Sequence, residues 1–302
     1  MYNIVIIGSS SIIDCHIKVL KELKFNILAI CTTNIKSKNI YRLSKKHKIK
    51  KVFKNTRYLF NFLKDKKDFC FLLAPRIEDT EKILLKCLVF KKKIFVEKPL
   101  SLNLKFYKKL DKYKKKIFVG YNRIYFQNII YLKKKLKNSK NLYISISCSE
   151  QRKKDILTNS CHLISIINEI FDGVKVKKVV RNKNFIFAEL TDNKNNFFTF
   201  RVNFDSPENF EIKIINNSII YVLKPIEILS EYREMEKVTI DNINHYKPKL
   251  FKIINEFKCN KYKPGFLKQM EAFKNFVYKE KNNNNTLMNS RDIMKICKKI
   301  HG

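Results

Sequence analysis

The sequence predicts an α/β protein in two parts. The first is a doubly wound parallel sheet, and the second is an α+β part with a mostly antiparallel open sheet. Three features of the chain point to this. From Asn3 to Gly120, short β-branched and aromatic runs alternate with helical stretches, the order of a parallel sheet. Beyond Leu142, strand-like runs follow one another with polar turns between them. The run Ile94-Phe95-Val96 ends in Glu97, Lys98 and Pro99. An acid and a base thus stand at the carboxyl end of a buried strand, the edge where parallel sheets carry their sites.

Asn3 to Ile7 reads as the first strand, Gly8 to Ser11 as a turn and Ile12 to Leu23 as a helix. Phe25 to Cys31 is the next strand, Lys38 to His47 a helix, and Lys51 to Phe53 a short strand. Tyr58 to Leu63 is helical, Asp68 to Pro75 is a buried strand, and Asp79 to Phe90 is a helix with its acid in the first turn. After the strand ending at Glu97, Leu102 to Lys115 reads as a basic helix and Ile117 to Gly120 as a sixth strand. The first domain is expected to span residues 1–121 and the second 122–302.

In the second part, Ile124 to Leu136 is helical. Strands are expected at Leu142 to Ser149, Lys175 to Val180, Phe185 to Leu190, Phe197 to Phe204, Phe210 to Ile215 and Ser218 to Leu223. Asp192 to Asn195 and the pair Asn216-Asn217 supply turns. Asp155 to Phe171 reads as one apolar helix stopped by Gly173. Phe266 to Tyr278 and Ser290 to Ile300 close the chain as helices, with a polar loop at Asn282 to Asn285.

A chain of 302 residues suits two domains, and 45% hydrophobic content suits a globular protein. No apolar run approaches a membrane span, and the strand-like start does not read as a signal peptide, so a cytoplasmic protein is expected. The eight cysteines are scattered without a Cys-x-x-Cys pair, which argues against a zinc site or a disulfide framework. Net charge is +37, yet the lysines are spread along the chain rather than gathered in an arm. Lys, Asn, Ile, Phe and Tyr are abundant together, the pattern of an A+T-rich genome, so nucleic acid is not the expected partner.

The triplet Glu97-Lys98-Pro99 after a strand, then Gly120-Tyr121-Asn122-Arg123, then a helix carrying His162, form a further pattern. With these the chain resembles the glucose–fructose oxidoreductase, inositol dehydrogenase and MocA family of nicotinamide-dependent dehydrogenases, from Ile4 to about Ile300. The resemblance implies a Rossmann-like dinucleotide-binding domain and a second domain for substrate binding and oligomerisation, giving a homodimer or homotetramer. It implies NADP or NAD as cofactor; no metal site is expected from the residues. The substrate would be a sugar or nucleotide-sugar, with a role in surface polysaccharide synthesis. Lys98 would stabilise charge on the reacting oxygen and His162 would exchange its proton. Tyr121, Asn122, Arg123, Thr158 and Asn159 would bind substrate.

The expected cofactor residues are Gly8, Ser10, Ser11, Ile12, Thr32, Thr33, Pro75, Glu97 and Lys98. The dinucleotide fingerprint has glycine where this chain has Gly8, Ser10 and Ile13, so only the first is present. Two readings stand: an altered site that binds the anion through the helix amino terminus, or a serine-capped helix without a ligand. His16 reads as a packing residue. Thr32 and Thr33 stand where an acid would hold the ribose diol of NAD, and Lys36 and Lys38 follow; this favours NADP, with a plain loop as the rival reading. In the family an acid lies four residues before the histidine, and here Thr158 takes its place, on one helix face with His162 and Ser165. The departures motivate an alternative: a catalytically impaired relative that binds a sugar or a protein.

Overall fold

The computed structural model describes residues 2–34, 36–258, 261–279 and 286–302. The polar loop expected at Asn282 to Asn285 and the cysteine at position 259 lie outside them. The chain forms two compact units: Met1–Asn122 with Gly265–Asp292, and Arg123–Pro264 with Ile293–Gly302.

The first unit is built on strands β1 (Asn3–Ile7), β2 (Asn26–Cys31), β3 (Val52–Phe53), β4 (Phe69–Leu73), β5 (Ile94–Glu97) and β6 (Ile117–Gly120). Between them run helices α1 (Ile12–Glu22), α2 (Asn39–His47), α3 (Thr56–Leu63), α4 (Ile77–Leu88) and α5 (Leu104–Lys109). The strand order is β3-β2-β1-β4-β5-β6 and every pairing is parallel. This is the doubly wound arrangement, with its order reversing between β1 and β4. Strands β1 and β4 are buried almost throughout, as two-sided cover by helices requires. Helix α1 turns Ile13, His16, Ile17 and Leu20 inward at helical spacing. The long helix expected over Leu102 to Lys115 is instead α5 followed by a 3-10 turn at Asp111–Tyr113. The Leu110 amide is shared between the carbonyls of Phe106 and Tyr107, which tightens the turn and ends the α-helix.

The second unit holds α6 (Gln127–Leu136), β7 (Tyr143–Glu150), α7 (Asp155–Thr158), α8 (Cys161–Ile170), β8 (Lys175–Arg181), β9 (Phe185–Thr191), β10 (Phe197–Phe204), β11 (Glu211–Asn216), β12 (Ile219–Leu223), β13 (Ile228–Ile240) and β14 (Ile243–Asn255). Its sheet runs β14-β13-β12-β11-β7-β10-β9-β8. Only the β7–β10 pairing is parallel; the others are antiparallel. Ile144, Ile146 and Cys148 of β7 are buried, as are Phe198, Phe200 and Val202 of β10. The opposite face carries Ser145, Ser147, Thr199 and Arg201 beside Tyr143 and Phe197, whose rings stack at 6.2 Å.

In the second unit two further elements differ from expectation. The single helix over Asp155 to Phe171 is broken at Asn159-Ser160 into α7 and α8. The β13–β14 hairpin falls where the apolar pattern showed no strands, because β14 is exposed along nearly its whole length. Its turn is Asp241-Asn242, both at positive φ, 48° and 64°. Such a dipeptide is a hairpin signal in its own right.

Helices α9 (Phe266–Lys279) and α10 (Leu287–His301) follow. Residues after Tyr121 do not all stay in the second unit, because Gly265–Asp292 belongs to the first. The reason is aromatic packing: the Phe273 ring of α9 meets Phe95 at 5.5 Å and Phe118 at 5.6 Å, edge to face, and these two stack on each other. Gly120 leaves room for this cluster, since a Cβ there would lie 2.6 Å from the Phe95 ring.

Helix α1 is fastened to α2 through Asp14. His47 Nε2 lies 2.7 Å from its carboxylate and Lys46 Nζ 2.9 Å. Burial raises the Asp14 pKa, but hydrogen bonds from His47, Lys46 and Lys18 outweigh it and hold the carboxyl well below its ordinary value of 3.8. The unfolded chain therefore takes up the proton first, and the contribution is complete above about pH 4 and lost as pH falls through the lower folded value. Asp14→Asn is expected to cost about 1 kcal/mol at pH 7. Urea unfolding at pH 7 and pH 3 checks this: the gap to the unaltered protein should narrow at the lower pH.

Candidate functional site

In the first unit the carboxyl edge of the sheet brings together the turn after β1, the end of β2, the β4–α4 turn and the end of β5. Gly8 has φ +142°, and a Cβ there would sit 2.3 Å from the Ala74 carbonyl oxygen. No other residue fits this approach. The Gly8 amide donates to Cys31 and the Ala74 amide to Ile7, both at 2.8 Å. Pro75 is thereby set beside the first turn. Ser10 and Ser11 are exposed at the start of α1, and Ile12 is half-buried. Ile13, in the place of the third fingerprint glycine, is fully buried.

His16 does more than pack. Its Nε2 is 2.6 Å from Glu97 Oε1 and donates to the carboxylate. The ring rests against Phe95 at 5.3 Å and Phe266 at 4.9 Å, while its buried Nδ1 has no hydrogen-bond partner among the described residues. The other Glu97 oxygen accepts from the Lys98 amide at 3.2 Å. Glu97 is thus held from two sides, and it fixes the backbone that carries half-buried Lys98. No spacing rule links His16 to Glu97, 81 residues away.

Thr32 and Thr33 part company. Thr32 is fully buried and its hydroxyl bonds Ser9 at 3.0 Å and the Asn34 carbonyl at 3.1 Å. Ser37 donates to Ser9, and Asn39 Nδ2 to the Ser9 carbonyl, so the first turn is tied to the β2–α2 loop. Thr33 faces a cavity of about 280 Å³ with Lys54, Asp79, Lys82 and Lys86. Tyr121 and Asn122 end this unit's sheet. The Tyr121 hydroxyl meets Ser290 at 3.5 Å. With its carboxamide oxygen turned toward the chain, Gln269 accepts from the Tyr121 and Asn122 amides at 3.1 and 2.9 Å.

In the second unit the centre is Glu150, a residue the sequence did not single out. It is 5% exposed at the end of β7. Its carboxylate accepts from Asn159 Nδ2 at 3.1 Å and from the Ser160 hydroxyl. This bond set holds open the break between α7 and α8, so Thr158 and His162 sit on separate short helices rather than on one continuous face. His162 is buried in the first turn of α8, and its carbonyl accepts from Ser165 at 2.7 Å. Beside the break lies an open cleft of about 740 Å³ lined by Glu150, Asp155, Asn159, Asp205 and Glu208. Burial raises the Glu208 carboxyl, but Ser147, Asn203 and Arg201 outweigh it and hold the pKa below the usual value. Arg123 stacks over Phe210 at 5.2 Å; burial lowers its pKa, against the pull of Glu227, Cys161 and Glu150.

No family model matches the sequence, and no curated protein matches it. Solved structures do match. UDP-N-acetylglucosamine 3-dehydrogenase from Acidithiobacillus ferrooxidans superposes with TM-score 0.77 at 10% identity, covering 99% of this chain and 96% of that one. An oxidoreductase from Agrobacterium radiobacter in complex with NAD+, L-tartaric acid and magnesium gives 0.72 at 13%, covering 98% and 94%. Myo-inositol dehydrogenase from Lactobacillus casei in complex with NAD(H) and myo-inositol gives 0.68 at 18%, covering 99% and 93%. The likeness establishes the fold: a Rossmann-like unit and an α+β unit on a mostly antiparallel sheet.

Removing the Glu150 carboxylate strands two donors. Glu150→Ala is expected to destabilise the protein by about 2–3 kcal/mol, and Glu150→Gln by less. Chemical unfolding followed by circular dichroism measures both.

Proposed function

We propose that this protein is a nicotinamide-dependent oxidoreductase acting on a sugar, nucleotide-linked, in the cytoplasmic synthesis of a surface polysaccharide. The observation that carries the reading is the carboxyl edge of the parallel sheet. Gly8 lies at the strand-order reversal and Lys98 follows the end of β5, both on the sheet edge outside which parallel sheets bind ligands, and this supports the reading. The fold shared with dehydrogenases of sugars and cyclitols supports it. The residues present fit the group: Gly8 admits close backbone approach, and Ser10 and Ser11 present hydroxyls at the start of α1. Bound there, the cofactor supplies hydride exchange with a carbon of the sugar.

The chain's own residues do the rest. The Lys98 ammonium stabilises charge on the reacting oxygen, and His162 takes or returns its proton. Glu97, fixed by His16, keeps the Lys98 backbone in place. Lys98→Ala is expected to lower turnover roughly a hundredfold, about 3 kcal/mol, with little change in cofactor affinity. His162→Ala should cost a comparable factor and reshape the pH profile. Fluorescence titration with NADH and NADPH comes first, then turnover with UDP-N-acetylhexosamines and myo-inositol. Cofactor binding with wild-type rates in Lys98→Ala would remove Lys98 from the mechanism.

Ser10 and Ile13, in place of two fingerprint glycines, favour one rival reading: a sugar- or protein-binding protein without turnover. Absence of dinucleotide binding would support that rival. The outer sheet face around Tyr143 and Phe197 is proposed as a self-association surface, forming a homodimer or homotetramer. Sedimentation at micromolar concentration should show the larger species, and only monomer would reject it.

A further inference from the structure

The cavity beside Thr33 is cationic in a way the fold does not require. Lys82 and Lys86 are one helical turn apart on α4 and reach the same space as Lys54 from the β3–α3 loop. Thr33 and Thr56 add hydroxyls, and Asp79 is the one carboxylate among the lining residues. Three lysines line this one cavity, and their positive charges favour an anion there. Lys54, Lys82 and Lys86 are exposed, and neither Lys82 nor Lys86 has an ion-pair partner among the described residues. Among the described residues, Lys54 meets the face of the Tyr41 ring, 5.3 Å from its centroid.

The position of this cavity matters. It lies at the carboxyl ends of β2 and β3, where an adenosine ribose would fall if a dinucleotide crosses the turn after β1. A carboxylate at the end of β2 would hold a free ribose diol, and this chain has Thr32 and Thr33 there instead. Thr32 cannot serve as the donor expected of it, since its hydroxyl is buried and already bonded to Ser9 and Asn34. Lys36 and Lys38 are not among the lining residues. The cations come from β3–α3 and α4, segments distant in sequence from the threonines.

We infer that Lys54, Lys82 and Lys86, with the Thr33 hydroxyl, form a phosphate-monoester site that takes the 2′-phosphate of NADP(H) and sets the preference over NAD(H). This rests on the proposed dinucleotide reading. Lysine acts here as a point charge, so the preference is sensitive to ionic strength.

The experiment is a titration of the full chain with NADPH and with NADH at 50 and 300 mM salt, followed by nicotinamide fluorescence. NADPH is expected to bind about tenfold more tightly at the lower salt. Lys54→Gln with Lys82→Gln should erase that difference while NADH affinity holds. Lys177→Gln, an exposed lysine of β8, is the control for bulk charge and should leave it intact. Equal affinities for the two cofactors, or tighter NADH, would overturn the phosphate site and leave the dinucleotide reading standing. An equal loss for both cofactors in the double variant would assign the lysines to general attraction and overturn the inference. Binding of neither cofactor would defeat the proposed function itself. If NADH alone fails, titration with adenosine 2′,5′-bisphosphate against 5′-AMP gives the same comparison.

Discussion

The turn after β1 must leave the sheet between β2 and β4, within van der Waals distance of the Ala74 carbonyl. That single approach sets the first unit. Gly8 is bonded to β2 through Cys31, and Ala74 is bonded back to Ile7. A side chain at Gly8 would push β1 and β4 apart at the point where the strand order reverses. The start of α1, the β2 edge and the β4–α4 turn are all positioned from there. The later fingerprint positions are less constrained, and the chain has spent that freedom on Ser10 and on a buried Ile13.

Two carboxylates organise their own surroundings, one in each unit. Glu97 receives His16 on one oxygen and the Lys98 amide on the other. Glu150 receives Asn159 and Ser160 and interrupts what would be one helix. Both acids lie at the ends of strands, where an apolar run meets an edge. A buried carboxylate there is stable only when donors surround it, so it also fixes the segments that supply those donors. In this sense the groups next to the proposed chemistry are held by the fold rather than by the substrate.

Charge is distributed unevenly despite the net excess of lysine. The cleft beside Glu150 is lined by acids, and the cavity beside Thr33 by lysines. Such local differences decide which small ligand is attracted, whereas the total charge governs solubility and weak association.

The sequence by itself determined the periodic elements. Runs such as Phe69–Leu73 and Ile94–Glu97 are legible because a strand covered on both faces must be apolar throughout, and that pattern is local. The Glu97-Lys98-Pro99 end of β5 and the turn at Gly8 were legible for the same reason. What only the tertiary structure decided is which distant residues meet. His16 reaches Glu97 across 81 positions, Thr32 spends its hydroxyl on Ser9, and Lys54 joins Lys82 and Lys86. The return of α9 to the first unit rests on Phe273 meeting Phe95 and Phe118, a contact with no periodic signature. The β13–β14 hairpin is not legible because an exposed strand such as β14 carries no alternating apolar face. Local propensity depends on neighbours along the chain, whereas hydrogen bonds and ring contacts depend on neighbours in space. Only the folded arrangement of the parallel strands brings the second kind together.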